Sequence, residues 1–204
     1  MRSVVVGCRT RVIHVLDKAL SRIFRDMLTL RSLQSATTDV VRDFRACGLN
    51  TEALQDCQVY LVPAGLAFGW CRADGAISIP AVSGSRWWER RWGKRTSLRD
   101  VLRHEFGHAL ANLHPELVEG RTFERVFGAS YDDRWKRKPA FDEEDYLTPY
   151  ATKSPAEDFA ETVMVHSRHR GRVDRYRHLA EIWRKLQFVS RLKNRIKQER
   201  IPLA

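Results

Sequence analysis

Cysteine is scarce in this chain and scattered: Cys8, Cys47, Cys57 and Cys71 are the only four, with no C-x-x-C pair among them. That spacing excludes a zinc ribbon and offers no disulfide framework, so buried thiols are expected. Long apolar runs are missing too, and nothing approaches the roughly 20 residues needed to span a bilayer. The Val-Val-Val run at 4–6 is cut short by Cys8-Arg9-Thr10-Arg11, too soon for a signal-peptide core. A cytoplasmic protein is the expectation, with secretion by a route lacking a cleavable signal as the alternative. Acidic residues are in deficit, 25 Asp and Glu against 36 Lys and Arg, for a formal charge of +11. The deficit is uneven: residues 168–204 hold twelve basic and three acidic side chains, a net of +9, leaving +2 for the first 167.

What is present suffices for one core, since 43% of the 204 residues are hydrophobic. The expected organisation is a unit over residues 1–173 that carries any chemistry, followed by a basic amphipathic helix over 174–204, packed on it or appended. Within the first unit, Val12, Val15, Leu16, Ala19, Ile23 and Met27 recur at helical spacing and predict a helix from Arg11 to Leu30. A second helix is expected over Thr38–Ala46, closed by Gly48. Three short strands are expected at Val59–Val62, Phe68–Cys71 and Ala76–Ile79. The last runs into Pro80, which suits a sheet edge, where an extended peptide could add as a further strand. An ordinary core hairpin fits that stretch equally well.

The chemistry concentrates in His104-Glu105-Phe106-Gly107-His108. Ser97 supplies an N-cap with Asp100 three residues on, and Val101, Leu102, Ala109 and Leu110 continue an amphipathic helix. Four residues apart, His104 and His108 project from one helix face, where both imidazoles can reach one Zn2+. Glu105 is turned aside from the metal and can act as a general base on a water beside it. A third ligand is required. His114 lies six residues after His108, but the place where the metzincin pattern has a turning glycine is Ala111, so the helix simply continues and His114 falls at its end. The other candidate is Glu157, in Ser154-Pro155-Ala156-Glu157-Asp158-Phe159-Ala160-Glu161. Ser154 and Pro155 read as N-cap and first helical residue, which leaves two readings for Glu157: capping-box partner or metal ligand. Glu161, one turn later on the same face, favours the ligand, because a second carboxylate can hold the far N–H of a ligating imidazole. Asp158 reads either as further support for the metal or as a charge complementing the helix dipole.

Three segments together, His104–His108, Phe123-Glu-Arg-Val-Phe127-Gly128 and Tyr150-Ala-Thr-Lys-Ser-Pro-Ala-Glu157-Asp158-Phe-Ala-Glu161, resemble a family of bacterial zinc-binding metallopeptidases of the gluzincin type. The pattern is also similar to the lethal factor-like and Pro-Pro endopeptidase catalytic domains. It covers about Leu98 to Gly171. The resemblance implies an α+β, zincin-like metallopeptidase domain with a small mixed sheet, Zn2+ held by His104, His108 and Glu157, and a peptide or protein substrate. It also implies that Tyr150 hydrogen-bonds the carbonyl under attack; taken alone, Tyr150 could equally be a packing residue at the helix start.

Two stretches lie outside that pattern. Arg86-Trp87-Trp88-Glu89-Arg90-Arg91-Trp92-Gly93-Lys94-Arg95 could stack nucleic-acid bases, roof the cleft or pack a loop. The C-terminal segment from Asp174 to Ile196 reads as one long helix, apolar through Tyr176, Leu179, Trp183, Leu186, Val189 and Ile196. Its basic face is either simply solvated or a handle for an anionic partner such as nucleic acid or an acidic surface. The acidic stretch Asp142–Asp145 has no calcium-loop spacing and reads as a solvated loop. The competing class of function is therefore a zinc-stabilised binding module that engages an anionic partner through its C-terminal helix.

Overall fold

The computed structural model describes residues 4–6, 27–85, 96–135 and 139–199. The helix expected at Arg11–Leu30 and the tryptophan-rich stretch at 86–95 fall largely or wholly outside these. The described residues form a mixed α and β architecture of six α-helices and one small sheet. None of these helices is long and apolar enough to cross a membrane.

The sheet contains β1 (Val4–Val6), β2 (Val59–Gly65), β3 (Trp70–Cys71) and β4 (Ile77–Ser83), in the spatial order β1-β2-β4-β3. β2 and β4 run parallel, with Val59 opposite Ile77 and Leu61 opposite Ile79; β1 and β3 add antiparallel at the two sides. Val59 and Leu61 are buried while Tyr60 and Val62 between and after them are less so, the alternation of a strand with one face on the core, whereas the inner strand β4 is buried almost throughout on both faces. Two expectations are corrected here. Ala76–Pro80 does not form the edge: β4 lies between β2 and β3, and the short β3 is the outer strand. The proline is tolerated because β4 pairs with β3 only at Ile77 and Ser78, so no ladder bond is demanded of Pro80 on that side. The Val4–Val6 run, read only for what it excluded, is a strand.

Helix α1 (Leu30–Ala46) starts eight residues earlier than expected. Its start is set by Thr29 and Ser32, whose hydroxyls and backbone N–H groups exchange hydrogen bonds in a capping box, so Met27–Thr29 are not helical. A short α2 (Glu52–Gln55) follows, capped by Thr51. Helix α3 (Leu98–Leu113) carries the histidine pair, and Ser97 accepts from the Asp100 N–H as its cap. Helices α4 (Arg121–Phe127), α5 (Pro155–Arg168) and α6 (Ala180–Glu199) complete the set. The long C-terminal helix begins later than expected, because Asp174–Tyr176 forms a separate 3-10 turn.

Packing makes α6 part of the core rather than an appendage. Phe188 meets Phe123 and Phe127 of α4 and Phe159 of α5, with ring centroids 5.8, 5.5 and 6.5 Å away. Each edge-to-face or tilted pair adds about 0.5–1.5 kcal/mol beyond the apolar burial itself. This cluster grips α5 two residues after Glu157, so the packing of phenylalanines also fixes where that carboxylate points. Two basic groups of α6, Lys185 and Arg195, are committed to the fold. Lys185 is buried, with Nζ 2.7 Å from Asp158 Oδ2 and 2.7 Å from the Asp145 carbonyl. Arg195 donates to the carbonyls of Glu116 and Leu117.

Candidate metal centre

Helices α3 and α5 cross antiparallel at Gly107, whose missing side chain leaves room for the Ala160 backbone. This close approach brings His104 and His108 opposite Glu157 and Glu161. The three atoms that face one another are His104 Nε2, His108 Nε2 and Glu157 Oε2. They are separated by 3.1 Å between the imidazoles and by 3.0 and 3.2 Å from them to the carboxylate. A tetrahedral ion bound at about 2.0–2.1 Å holds its ligand atoms about 3.3 Å apart, close to this triangle. The same three residues form the one His/Cys/Asp/Glu group among the described residues with ion-holding geometry. The donor set therefore fits a divalent cation.

The competing role for Glu157 was to cap its own helix. Ser154 Oγ is the cap and accepts the Glu157 backbone N–H at 3.2 Å, whereas the Glu157 side chain, which a capping box would turn back to Ser154, reaches the histidines instead. Loss of hydration would raise the Glu157 carboxyl, yet hydrogen bonds and charge from His104 and His108 hold it well below the usual range. Burial likewise pulls His104 down, but Glu157 and Glu161 outweigh it and lift the imidazole to about 10. A buried carboxylate cluster of this kind needs a positive charge at the His104 nitrogen, which a proton or a metal ion can provide.

Outside the triangle, each histidine is held by its other nitrogen. His104 Nδ1 lies 2.6 Å from Glu161 Oε1, and Glu161 Oε2 accepts from the Thr148 hydroxyl at 2.7 Å. That carboxylate fixes the tautomer that leaves Nε2 free to bind, the part expected of Glu161. His108 Nδ1 lies 2.9 Å from the Tyr131 hydroxyl. Tyr131 was not foreseen: it sits in the loop after α4, 23 residues from its histidine, where no periodicity marks it. Thr148 was missed for the same reason. In the tautomer that frees Nε2, His108 donates to the Tyr131 oxygen, and burial pushes the Tyr131 phenol up, so it stays neutral. Replacing Tyr131 with Phe should weaken binding of a divalent cation by these three residues about tenfold, the lower end of what such partners contribute. Competition against a chromophoric chelator measures this, and an unchanged Kd would show that Tyr131 does not orient His108.

Glu105 is not a corner of the triangle but lies close enough to feel the charges of His104, His108 and Glu157, buried beneath the outer strand, where it accepts the backbone N–H of Cys71. A Cβ placed on Gly69 would come within 3.3 Å of Glu105 Oε1 and 2.7 Å of Ile79, so the glycine keeps the strand close over the carboxylate. Burial raises the Glu105 carboxyl, opposed by the charges of His104 and His108. Tyr150 is half-exposed beside the triangle, its ring 5.5 Å from that of His104 and its hydroxyl hydrogen-bonded to Glu157. Lys153 Nζ lies 3.7 Å from the Tyr150 ring centroid and covers its other side.

Two residues are not part of this arrangement. His114 caps the end of α3 and bonds Thr51 Oγ1 at 2.9 Å, as expected from Ala111. Asp158 does not support the metal ligands. One residue round the helix from Glu157, its carboxylate turns into the interior and pairs with Lys185, and burial pushes it up to about 6 despite that partner. Cys47 and Cys71 are free thiols, both pushed up to about 12 by burial, so neither is poised as a nucleophile. Comparison with protein-family models, curated proteins and solved structures gives no match.

Proposed function

We propose that the chain is a zinc-dependent peptidase with a zincin-like, gluzincin-type centre. The observation that carries this reading is the pairing of a His104–His108–Glu157 triangle sized for one ion with a buried carboxylate, Glu105, that is not one of its corners. A purely structural ion would use four protein donors and would have no need of Glu105. Two imidazole nitrogens and one carboxylate oxygen suit zinc better than calcium or magnesium.

When bound, the ion would supply Lewis acidity, lowering the pKa of a water toward about 7 and polarising a carbonyl. Glu105 takes a proton from the attacking water on its carboxylate. Its raised affinity for protons lets it hold that proton and then pass it to the departing amine nitrogen. The Cys71 N–H fixes the Glu105 carboxylate during both transfers. Tyr150 turns its hydroxyl from Glu157 to the carbonyl oxygen as negative charge gathers there, and burial keeps that phenol protonated for the task. Glu161 and Tyr131 keep the two imidazoles in place. An extended substrate would pass alongside β3, the outer strand nearest Glu105.

The test is hydrolysis of a quenched-fluorescent peptide library by the full chain. One equivalent of Zn2+ should activate the metal-free protein, a chelator should abolish cleavage, and added zinc should restore it. His104→Ala should be inactive under all three conditions. Cleavage that persists in chelator, or no zinc-dependent cleavage across the library, would overturn the proposal.

A further inference from the structure

A second charged feature lies at the far end of the α3–α5 pair, where the first turn of α3 meets the last turn of α5. Three aspartates there are each shared by two arginines. Asp39 pairs with Arg42 and Arg99, Asp43 with Arg103 and Arg170, and Asp100 with Arg103 and Arg168. The network ties α1 to α3 and α5, and at its centre the Arg103–Asp43 pair, 2.6 Å apart, is buried. That much is explained by folding alone, since a buried carboxylate needs its partners.

The loop after α5 adds cations that folding does not account for. Arg170 adopts a left-handed backbone (φ 52°), and the chain then turns through Gly171 to present Arg172 and Arg175 beside His169. Arg175 Nη2 donates to His169 Nε2 at 2.6 Å and also to the Tyr176 hydroxyl. Neither Arg172 nor Arg175 has a carboxylate partner among the described residues, and both are exposed. Seven arginines thus stand against three aspartates, a surplus of four positive charges, with Arg103 buried, the other six exposed and the neighbouring Asp174 paired with Arg177. Arginines at the helix C-terminus do complement its dipole, but that effect is worth only about 0.3–1 kcal/mol and fades within a turn. It does not call for guanidiniums without a carboxylate partner two and five positions beyond the last paired one. Like charges gathered without counter-charges oppose folding, which makes a partner the better explanation.

We propose that this arginine face binds the phosphodiester backbone of nucleic acid. Three features favour that occupant over an acidic protein. The seven cations named here are all arginines, whose planar fork engages phosphate oxygens in pairs. The surface extends over three segments rather than closing into a pocket, as contact with successive phosphates requires. It also contains none of the large apolar side chains that are exposed among the described residues, Leu66, Trp70, Phe141 and Tyr150, which lie elsewhere. Protein interfaces depend on such anchors, whereas phosphate-backbone binding is driven by charge and counterion release. The face is distinct from the metal centre, so this inference does not rest on the peptidase reading.

Fluorescence anisotropy tests it with the full chain and labelled 20-mers, single- and double-stranded DNA and RNA in separate arms, between 50 and 200 mM salt. Binding should weaken steeply with salt. Arg172→Gln/Arg175→Gln should lower the affinity about tenfold at the lowest salt and reduce the log–log salt slope by about two. Arg184→Gln/Arg191→Gln removes two exposed charges from the solvent face of α6 and should leave the slope near the wild-type value. Glu105→Gln should bind as the wild type does. No binding in any arm at 50 mM salt overturns the proposal, as does equal loss in the two double variants. Tighter binding of polyglutamate or of phosphatidylserine vesicles than of every oligonucleotide overturns it as well.

Discussion

Glu105→Gln is expected to lower kcat/KM for any peptide the chain cleaves by about 10³-fold or more while leaving zinc bound one to one. The amide is the same size as the carboxylate and keeps an oxygen for the Cys71 N–H, so the fold and the strand above it should be undisturbed. What is removed is the capacity to hold a proton between two steps of the reaction. A 10³-fold loss corresponds to about 4 kcal/mol of transition-state stabilisation, within the range for a positioned general base. The donor triangle does not include Glu105, and zinc titration of the variant should reproduce the wild-type Kd. If the variant retained activity within tenfold of wild type, Glu105 would not be the base, and its burial would need another cause. If it lost zinc as well, the loss of activity would say nothing about proton transfer. Tyr150→Phe provides a graded comparison: it removes the hydroxyl that leaves Glu157 for the carbonyl as charge develops, so kcat should fall more than KM rises.

How much of this site could be read from the sequence follows from how local each signal is. His104, Glu105 and His108 sit within one and a half turns of a helix whose cap and apolar stripe are all in the surrounding sixteen residues. Glu157 and Glu161 lie 49 and 57 residues from their histidines, yet each was visible because Ser154 and Pro155 mark the start of the helix that carries them. Tyr131 and Thr148 lie in irregular segments without such markers, and nothing in the sequence points them at His108 or Glu161. Asp158 was misread because its partner, Lys185, is on a helix whose docking depends on the phenylalanine cluster. The edge reading of Ala76–Pro80 failed for a similar reason: Pro80 suggests an edge, but which strand covers which side is decided by pairing between segments. The early start of α1 could have been found, since Thr29 and Ser32 have capping-box spacing. The polar run Ser35–Asp39 obscured the apolar period that follows from Leu33, Ala36 and Val40.

Gly107→Val should be the most damaging single change that touches no chemical group of the centre. A Cβ at this position would stand 3.1 Å from the Ala160 Cα, 3.4 Å from the Ala160 carbonyl oxygen and 3.3 Å from the Val163 Cβ. Two of those atoms are backbone and cannot swing aside, so relief must come from moving α5 away from α3. Alanine needs a shift of a few tenths of an ångström, and its better helix propensity, worth about 0.8–1 kcal/mol, offsets part of the strain. Valine adds two γ-carbons with restricted rotamers, and overpacking of this kind costs about 1–3 kcal/mol. The loss should appear as a fall in Tm of about 2–4 °C for each kcal/mol in a chain of this size. The same displacement carries Glu157 and Glu161 away from the imidazoles, because both carboxylates flank the crossing point on α5. A triangle now 3.0–3.2 Å on a side would open, and zinc affinity should fall by 100-fold or more. Gly120→Ala is the matched control. Gly120 has φ +95° with nothing within 4 Å of an added Cβ, so alanine there strains the backbone without touching the helix crossing. It should lower Tm and leave the zinc Kd unchanged. Should Gly107→Val lose stability but keep its zinc affinity, helix spacing would not be what sets the triangle, and the second-layer contacts from Thr148 and Tyr131 would have to hold it instead.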